Sequence, residues 1–140
     1  MNIKLVETEA ELRLCYPVMH QLRQHLSLDE FLTRAARQQK EAGYRIAMLT
    51  AAANVKAVAG FRISEGLAWG KYLYVDDLVT DAASRSAGHG DALFDWLIDF
   101  ARAEHCQSFH LDSGVQRFEA HRFYLRKRMQ IASHHFSISL

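Results

Sequence analysis

The sequence predicts a single domain of the α/β (α+β) class, in which helices pack on a mixed sheet. Segments with the apolar patterns of strands alternate with segments whose apolar residues recur every three or four positions, as in helices. The chain has 140 residues, 49% of them hydrophobic and 24% charged, which suits one globular domain with a continuous core. We therefore expect one domain over residues 1–140, with the element order β-α-α-β-β-β-α-β-α-β.

Local signals in the sequence place the individual elements. The predicted strands cover residues 2–6, 44–53, 55–63, 71–80, 108–112 and 131–140, and the predicted helices cover 8–42 in two parts, 91–105 and 117–128. Capping boxes at Thr8–Glu11 and Ser27–Glu30 begin the first two helices, and Gly43 is suited to end the second. Pro17 interrupts the apolar stripe of the first helix, so we expect a kink or a break there.

The overall charge and the cysteines exclude several classes of protein. Lys and Arg number 17 against 16 Asp and Glu, so the net charge of +1 gives no general attraction to nucleic acid or to an anionic membrane. No apolar run approaches the roughly 20 residues that span a bilayer. Cys15 and Cys106 lie far apart in apolar segments, without the spacing of metal ligands. We expect both to be reduced, mostly buried thiols in a cytoplasmic protein.

A glycine-containing turn, Arg85-Ser86-Ala87-Gly88-His89-Gly90, lies between the strand predicted at 71–80 and an apolar helical run. Glycine lets the backbone approach a ligand closely, and the first N–H groups of the following helix have no intrahelical partner. This arrangement favours a bound phosphate. The alternative is a turn that needs flexible residues for architecture alone. The glycine signatures of P-loops and of dinucleotide folds are absent.

Two stretches carry a resemblance to a known family. Residues 76–93 resemble the acyl-CoA-binding motif of the GNAT superfamily of N-acetyltransferases, which has Arg/Gln-x-x-Gly-x-Gly/Ala at a strand-to-helix turn. Downstream, residues 120–129 (AHRFYLRKRM) are similar to the second motif of the family, in which an Ala precedes Phe/Tyr-Tyr and usually a Gly-Phe. Two departures stand out: Arg128-Met129 replace the usual Gly-Phe, and Arg117 stands where many members have Asn near the cofactor.

The resemblance implies the acyl-CoA N-acyltransferase fold, with a twisted, mixed, mostly antiparallel sheet and about four flanking helices. Its central parallel strands, here 71–80 and 107–112, would splay apart around acetyl-CoA as cosubstrate. The cofactor-binding residues that the resemblance implies are Leu78, Val79 and Thr80 through their backbone, Arg85, Ser86, Ala87, Gly88, His89, Gly90 and Asp91 at the pyrophosphate, and Ser113 near the pantetheine arm or the thioester.

Three residues are candidates for catalytic roles. The resemblance implies that Tyr124 is the general acid, because a phenol with a pKa of about 10 can protonate a departing thiolate; the alternative is a core aromatic residue. Asp76 and Asp77 are candidates for binding and deprotonating an amine, or for bonding backbone N–H groups at a strand bulge. In a regular strand at most one of them points into the cleft. Glu65 and Asp112 are weaker candidates.

The implied function is transfer of an acetyl group from acetyl-CoA to a primary amine of a small molecule or a peptide, by direct attack on the thioester. The alternatives are a non-catalytic acyl-CoA-binding or sensing module with the same fold, and an interaction domain with a purely architectural glycine turn. No metal is expected, because His134 and His135 would point to opposite faces of the last strand. We expect no nucleic-acid or membrane partner, whereas exposed aromatic residues such as Trp69 and Tyr72 would suit a homodimer interface.

Overall fold

The computed structural model describes residues 1–140 and contains one five-stranded sheet with the strand order β1-β2-β3-β4-β5. The strands are β1 (Asn2–Leu5), β2 (Arg45–Ala51), β3 (Asn54–Gly66), β4 (Gly70–Thr80) and β5 (Ser108–Leu111), and the helices are α1 (Glu9–Leu22), α2 (Leu28–Ala42), α3 (His89–Ala103) and α4 (Phe118–Arg126). The first four strands are antiparallel. The 15-residue α3 returns the chain to β5 beside β4, the connection that a parallel pair needs. The predicted mixed, mostly antiparallel sheet with four helices is confirmed.

The chain divides into two units, residues 1–110 and 111–140. In the first unit the sheet is covered on both faces. Val58 and Met48 belong to a buried cluster with α1 and α2, whereas the ring of Phe61 meets Phe100 of α3 edge-on at 5.5 Å. Because side chains alternate along a strand, Val58 and Phe61 face opposite sides of β3. The division of the chain leaves the expectation of one domain over 1–140 a prediction.

The thiol of Cys15 lies at the centre of the cluster under α1. Its side chain is fully buried, its Sγ is 3.8 Å from Met48 Sδ, and burial raises the pKa of the thiol to about 12. The predicted buried, reduced thiol is confirmed for Cys15. Cys106 is also free but only half-buried.

The helix ends follow the capping signals of the sequence. Ser27 Oγ accepts the N–H of Glu30 at 3.1 Å, and the Glu30 carboxylate accepts the N–H of Ser27, so the second box is complete. Gly43 ends α2 in the left-handed conformation with φ 68°. Thr8 caps α1 as predicted, but the carboxylate of Glu11 binds the N–H of Glu7, one residue before the cap.

Of the kink or break predicted at Pro17, the break is wrong, since α1 runs from Glu9 to Leu22 without interruption, and the kink stays a prediction. Proline removes one backbone hydrogen bond and crowds the preceding turn. Here the residues around it, Cys15, Val18 and Met19, are buried against the sheet. That packing keeps the turn helical, because tertiary contacts of the apolar face supply most of a helix's stability.

The β2–β3 hairpin turns at Ala52 and Ala53, which both have positive φ, 52° and 64°. Two central residues with positive φ are typical of the tight turns that match strand twist, where Asn and Gly are the preferred residues. Alanine carries a Cβ, so each of these residues is strained in the left-handed region. The long β2 and β3 strands impose this conformation on the turn.

The second unit, residues 111–140, contains α4 and a C-terminal segment that we define as residues 131–140. The segment has no helix or strand and is exposed throughout, so the predicted strand over 131–140 is wrong. A strand needs a neighbour for its backbone N–H and C=O groups, and no strand pairs with this segment. The alternating pattern of the segment indicates the conformation that it can adopt, but it does not identify a neighbouring strand.

At the end of α4 the backbone of Arg128 has φ 66°. This is the position at which the sequence departs from the Gly-Phe of the family motif. Arg128 therefore takes up the left-handed conformation that glycine adopts most easily, and the turn after α4 is kept despite the substitution. None of the four helices combines the length and the apolar content that crossing a lipid bilayer requires.

Replacement of Ser27 by Ala is expected to lower the free energy of unfolding by about 1 kcal/mol, because it leaves the first turn of α2 without its side-chain acceptor. Urea denaturation followed by circular dichroism measures the change. The matched control is Thr33→Ala, a substitution on the exposed side of the same helix, where Ala is the better helix former and no cap is lost. An equal loss of stability in both variants would contradict the capping role.

Candidate active site

A β-bulge in β4 sets the geometry of the site. Gly60 of β3 lies opposite Asp77, but Phe61 lies opposite Val75, so Asp76 is the extra residue. The inserted residue shifts the alternation, which places the side chains of Asp76 and Asp77 on the face of the sheet that α1 and α2 cover. Both carboxylates line the same pocket. The prediction of a bulge at this point is confirmed, and the expectation that at most one of the two carboxylates faces the cleft, which holds for a regular strand, does not apply here.

The carboxylate of Asp77 has a partner on each oxygen. Arg23 Nε donates to Oδ1 at 2.8 Å, and the hydroxyl of Tyr44 donates to Oδ2 at 2.6 Å. Arg23 also donates from Nη2 to the backbone carbonyl of Asp76 at 2.9 Å. Because Arg23 is the C-cap residue of α1, these contacts join the end of α1 to the bulge.

The carboxylate of Asp76 is paired with Arg62 of β3. Nε and Nη2 of Arg62 each donate to a different oxygen at 2.8 Å, the two-pronged geometry that guanidinium and carboxylate groups favour. The guanidinium also lies over the ring of Tyr74, 5.5 Å from its centroid. Asp76 raises the pKa of Arg62. Each carboxylate oxygen of the bulge still has a second lone pair for a further donor.

Tyr44 and Gly60 fit together under the bulge. A Cβ at position 60 would lie 1.9 Å from the hydroxyl oxygen of Tyr44, so the packing requires glycine there. The side chain of Tyr44 is 4% exposed. Burial, and next the charge of Asp77, raise the pKa of Tyr44 well above 10. The phenol is therefore neutral and donates its proton to Asp77 at any physiological pH.

The pocket beside the bulge has a volume of about 350 Å³. It is lined by Met19, Arg23, His25, Leu26, Phe31, Arg34, Ala35, Gln38, Tyr44, Asp76 and Asp77. Apolar residues of α1 and α2 (Met19, Phe31 and Ala35) and polar residues of α2 (Arg34 and Gln38) line it together with the carboxylates of the bulge. The sequence pattern did not single out Arg23, Tyr44 or Arg62. The one available signal was the charge of Arg62 inside an apolar strand.

The glycine turn leads from β4 into α3 and carries two different constraints. Gly88 is the N-cap residue of α3 with φ 82°, a conformation that suits glycine, and open space surrounds the position of its missing Cβ. At Gly90 a Cβ would lie 2.9 Å from Thr80 Oγ1, so the close approach of helix and strand excludes larger residues. The bulk of the turn, residues 85–88, is exposed.

The N-terminus of α3 has no side-chain cap. The first turn of a helix leaves N–H groups without intrahelical acceptors, and the helix dipole makes this end attractive to an anion. The turn is held in place by Asp81, which accepts Gln21 Nε2 at 2.9 Å and caps the short 3₁₀ turn at Ala82–Ser84. Nδ1 of His89 is buried without a hydrogen-bond partner. These residues fit a phosphate-bearing cosubstrate.

The C-terminal end of β4 extends past the end of β5. Gln107 N donates to the Lys71 carbonyl at 2.7 Å, and β5 ends four residues later at Leu111, which corresponds to about Val75 on β4. The last residues of β4 pair with β3 on their other edge, where Leu78, Val79 and Thr80 lie opposite Ala59, Val58 and Ala57. No strand of the sheet lies beside Leu78–Thr80 on the β5 side.

Tyr124 and Ser113 belong to the second unit. Burial raises the pKa of Tyr124, and the charge of Arg117 opposes that shift. Ser113 Oγ is buried without a hydrogen-bond partner. Of the weaker candidates, Glu65 is exposed at the β3–β4 hairpin and does not line the pocket, and the carboxylate of Asp112 lies 3.1 Å from His135 Nδ1. No group of three His, Cys, Asp or Glu side chains is arranged to hold a metal ion.

Comparison with known proteins decides the family. The model of the acetyltransferase (GNAT) family matches residues 6–129, and a curated N-acetyltransferase of unassigned substrate from Bacillus subtilis, YhdJ, is 32% identical over 127 residues, which cover 91% of this chain and 89% of that protein. The chain belongs to the GNAT acetyltransferase family. The resemblance carried by the two motifs is thereby confirmed, and acetyl transfer is the activity of the family.

Solved structures of GNAT acetyltransferases share the fold. Ribosomal-protein-alanine N-acetyltransferase from Brucella melitensis superposes with a TM-score of 0.86 at 15% identity, with 100% of both chains covered. Glucosamine-6-phosphate N-acetyltransferase from Arabidopsis thaliana superposes with a TM-score of 0.77 at 20% identity, covering 99% of this chain and 97% of that one. At these identities the likeness concerns the fold, and the GNAT fold predicted here is confirmed.

Replacement of Tyr44 by Phe is expected to lower the free energy of unfolding by about 2 kcal/mol, because Asp77 loses a buried charge-assisted hydrogen bond. The effect depends on pH. The folded-state pKa of Tyr44 is raised, so its contribution is complete below pH 10 and falls as pH rises further, since the unfolded chain then releases a proton that the folded chain retains. Urea denaturation at pH 8 and above pH 10 should show the difference between the two proteins narrowing.

The matched control is Tyr16→Phe, which removes a neutral hydrogen bond from the Tyr16 hydroxyl to the Leu26 carbonyl, 2.8 Å long. The expected loss there is about 1 kcal/mol. Losses of equal size at Tyr16 and Tyr44 would contradict a special role for the charge of Asp77.

Proposed function

We propose that this GNAT protein transfers the acetyl group of acetyl-CoA to a primary amine of a small molecule or a peptide, by direct attack of the amine on the thioester. The observation that carries the proposal is the exposed turn from β4 into the uncapped N-terminus of α3. Its two glycines meet separate requirements, a positive φ at Gly88 and a close approach at Gly90. An architectural turn requires neither an uncapped helix end nor exposed backbone.

The turn and the first residues of α3, from Arg85 to Asp91, are proposed to bind the pyrophosphate of acetyl-CoA. The free energy gained from the helix end alone is about 0.3–1 kcal/mol, to which hydrogen bonds from backbone N–H groups add. Arg85 is exposed at the start of the turn, where its guanidinium can reach a phosphate. This assignment covers Arg85, Ser86, Ala87, Gly88, His89, Gly90 and Asp91.

The backbone of Leu78, Val79 and Thr80 is proposed to pair with the pantetheine arm. Two findings support this pairing: these residues bond to β3 on one edge only, and β5 stops short of them. An extended chain with amide groups adds to such an edge like a further strand. Ser113, whose buried Oγ lacks a partner, is proposed to hydrogen-bond the same cosubstrate near the thioester.

Asp76 and Asp77 are proposed to bind the acceptor amine in the pocket beside the bulge. Both carboxylates are already ion-paired, with Arg62 and Arg23. Their remaining lone pairs are suited to accept hydrogen bonds from an ammonium group, or from a water that takes its proton. Neutralising a lysine-like amine at pH 7 costs about 4–5 kcal/mol, which these acceptors would offset in part.

Tyr124 is proposed as the general acid. When the nitrogen of the amine bonds to the carbonyl carbon and the carbon–sulfur bond breaks, the sulfur requires a proton. Burial raises the pKa of the Tyr124 phenol, so the group is fully protonated at neutral pH and available as a donor. Tyr124 gives the sulfur this proton and takes one back from solvent. An ammonium acceptor loses two protons, one before the attack and one as the amide forms, and both leave through water bound at the bulge, so one net proton is released to solvent in each turnover.

Replacement of Gly88 by Glu is expected to weaken the binding of acetyl-CoA at least about tenfold, because a carboxylate then stands where the pyrophosphate is proposed to bind. Calorimetric titration measures this affinity. Gly43→Glu is the matched control, since Gly43 also has positive φ, φ 68°, and open space at its Cβ position. Unchanged binding by Gly88→Glu would refute the pyrophosphate site, and no binding by the folded wild type would refute the proposed function.

Replacement of Tyr124 by Phe is expected to lower kcat about 100-fold with little change in the dissociation constant of acetyl-CoA. The release of free CoA in the presence of a panel of primary amines, measured by chromatography, gives kcat, and Tyr72→Phe serves as the control. Normal turnover by Tyr124→Phe would remove Tyr124 as general acid. Binding of acetyl-CoA by the wild type without turnover on any amine would instead support a non-catalytic acyl-CoA-binding module.

A further inference from the structure

We propose that the amine accepted in the pocket beside the bulge also carries an anionic group, a carboxylate or a phosphate, which binds Arg34 of α2 while the amine binds Asp76 and Asp77. The acceptor is then a small amino acid or amino phosphate rather than a simple amine or a diamine. This inference rests on the proposed function, because it names the class of acceptor for the same site. It starts from a positive charge of the pocket that the ion pairs of the bulge do not use.

The pocket has more positive charge than its two carboxylates require. Asp77 is paired with Arg23 at 2.8 Å. Asp76 is paired with Arg62, also at 2.8 Å. Arg34 lines the same pocket and takes part in neither pair. A bound ammonium group would add a further positive charge, and its repulsion from Arg34 would oppose binding. An anionic group on the same molecule removes this repulsion.

The place of Arg34 on α2 follows from the amphipathic pattern of that helix. Positions 31, 34, 35 and 38 are spaced by three and four residues, so they share one face of the helix, and all four line the pocket. Phe31 and Ala35 on this face are buried, whereas Arg34 and Gln38 are exposed. The face therefore combines an apolar part with hydrogen-bond donors, which suits a short carbon chain with a polar end.

The acidic residue one turn before Arg34 is engaged elsewhere. The Glu30 carboxylate accepts the N–H of Ser27 in the capping box, and Glu30 does not line the pocket. Hydrogen bonds from Ser27, and next the charges of Arg34 and His25, lower the pKa of Glu30. Glu30 thus attracts Arg34 from outside the pocket. The planar guanidinium of arginine binds a carboxylate or a phosphate through two parallel N–H groups, so Arg34 suits either anion.

Two more donors line the pocket together with Arg34. His25 lies between α1 and α2 and contributes an imidazole ring. Arg23 uses Nε for Asp77 and Nη2 for the Asp76 carbonyl, and its guanidinium has further N–H groups. An anion in this pocket therefore meets donors from the end of α1, from the loop after it and from α2.

The dimensions of the pocket favour a small molecule. Its volume of about 350 Å³ lies at the lower end of the range for ligand sites, and the buried side chains of Met19 and Phe31 provide an apolar part for a short chain between the two charged groups. The anionic group takes no part in the transfer. The amine nitrogen bonds to the acetyl carbon as proposed above, and the product retains the carboxylate or phosphate.

The first test compares matched amines with acetyl-CoA and the wild-type chain. Glycine, β-alanine and γ-aminobutyrate are each compared with the corresponding amide, and aminoethyl phosphate is compared with ethanolamine. Release of CoA should give a kcat/KM at least about tenfold higher for the anionic member of one or more pairs, and the pairs distinguish carboxylate from phosphate. Equal or faster turnover of every neutral member overturns this inference and leaves the proposed acetyl transfer standing. No release with any amine overturns both.

Replacement of Arg34 by Gln tests the residue itself. It should lower kcat/KM for the preferred anionic amine at least about tenfold more than kcat/KM for the neutral partner, because only the anionic amine loses an ion pair. The matched control is Arg37→Gln, since Arg37 is an exposed residue of the same helix that does not line the pocket. The control should leave both values unchanged. Equal effects on the two amines, or equal effects of the two variants, contradict the proposal.

Replacement of Arg34 by Glu should give a gain that a loss of folded protein cannot imitate. With the charge reversed, the ratio of kcat/KM for the diamine putrescine to that for the preferred anionic amine should rise at least about tenfold. Loss of folded protein lowers both rates in the same proportion and leaves the ratio unchanged. An unchanged or lower ratio would show that Arg34 does not select the acceptor.

Discussion

The extra residue at Asp76 is the constraint on which the rest of the site depends. A regular β4 would send the side chains of Asp76 and Asp77 to opposite faces of the sheet. The bulge instead turns both carboxylates towards α1 and α2, where the guanidinium of Arg23 binds the Asp77 side chain and the Asp76 carbonyl together. The end of α1, Tyr44 just before β2, and the middle of β4 are thereby held by one group of polar contacts.

The polar contacts at the bulge also determine what its charges can do. Two unpaired carboxylates in one pocket would repel each other. Arg23 and Arg62 supply two positive charges that compensate those of the carboxylates. A site built in this way favours a bound cation at the remaining lone pairs while keeping its own charge fixed. The glycine turn at the end of the same strand presents the opposite polarity, an N-terminal helix end suited to an anion.

The sequence was most informative where the cause of a structure is local. The caps at Thr8, Ser27 and Gly43 depend on residues a few positions away, and all three were predicted. The family motifs placed the glycine turn and predicted a bulge near Asp76. The hydrogen-bond partners of the two carboxylates were not predicted. Arg23, Tyr44 and Arg62 reach the bulge from three different parts of the chain, and no short sequence pattern predicts how those parts pack together.

The two wrong predictions about secondary structure have the same origin. Pro17 opposes a helix locally, yet the buried residues on either side keep α1 continuous. The segment at 131–140 has the pattern of a strand, yet a strand exists only beside another strand. In both cases the local preference was identified correctly, and the wider surroundings decided the outcome. The roles assigned to Tyr124 and Ser113 remain proposals for the same reason, since they depend on groups that are distant in sequence.

The left-handed alanines of the β2–β3 hairpin make the hairpin depend on contacts outside its turn. A turn of Asn and Gly would bend readily in the unfolded chain and would help the two strands to meet. Ala52 and Ala53 resist that bend by roughly 1–2 kcal/mol each. Closing this hairpin therefore costs more than closing an Asn-Gly turn would, and the pairing of β2 with β3 and their packing against the helices must offset that cost.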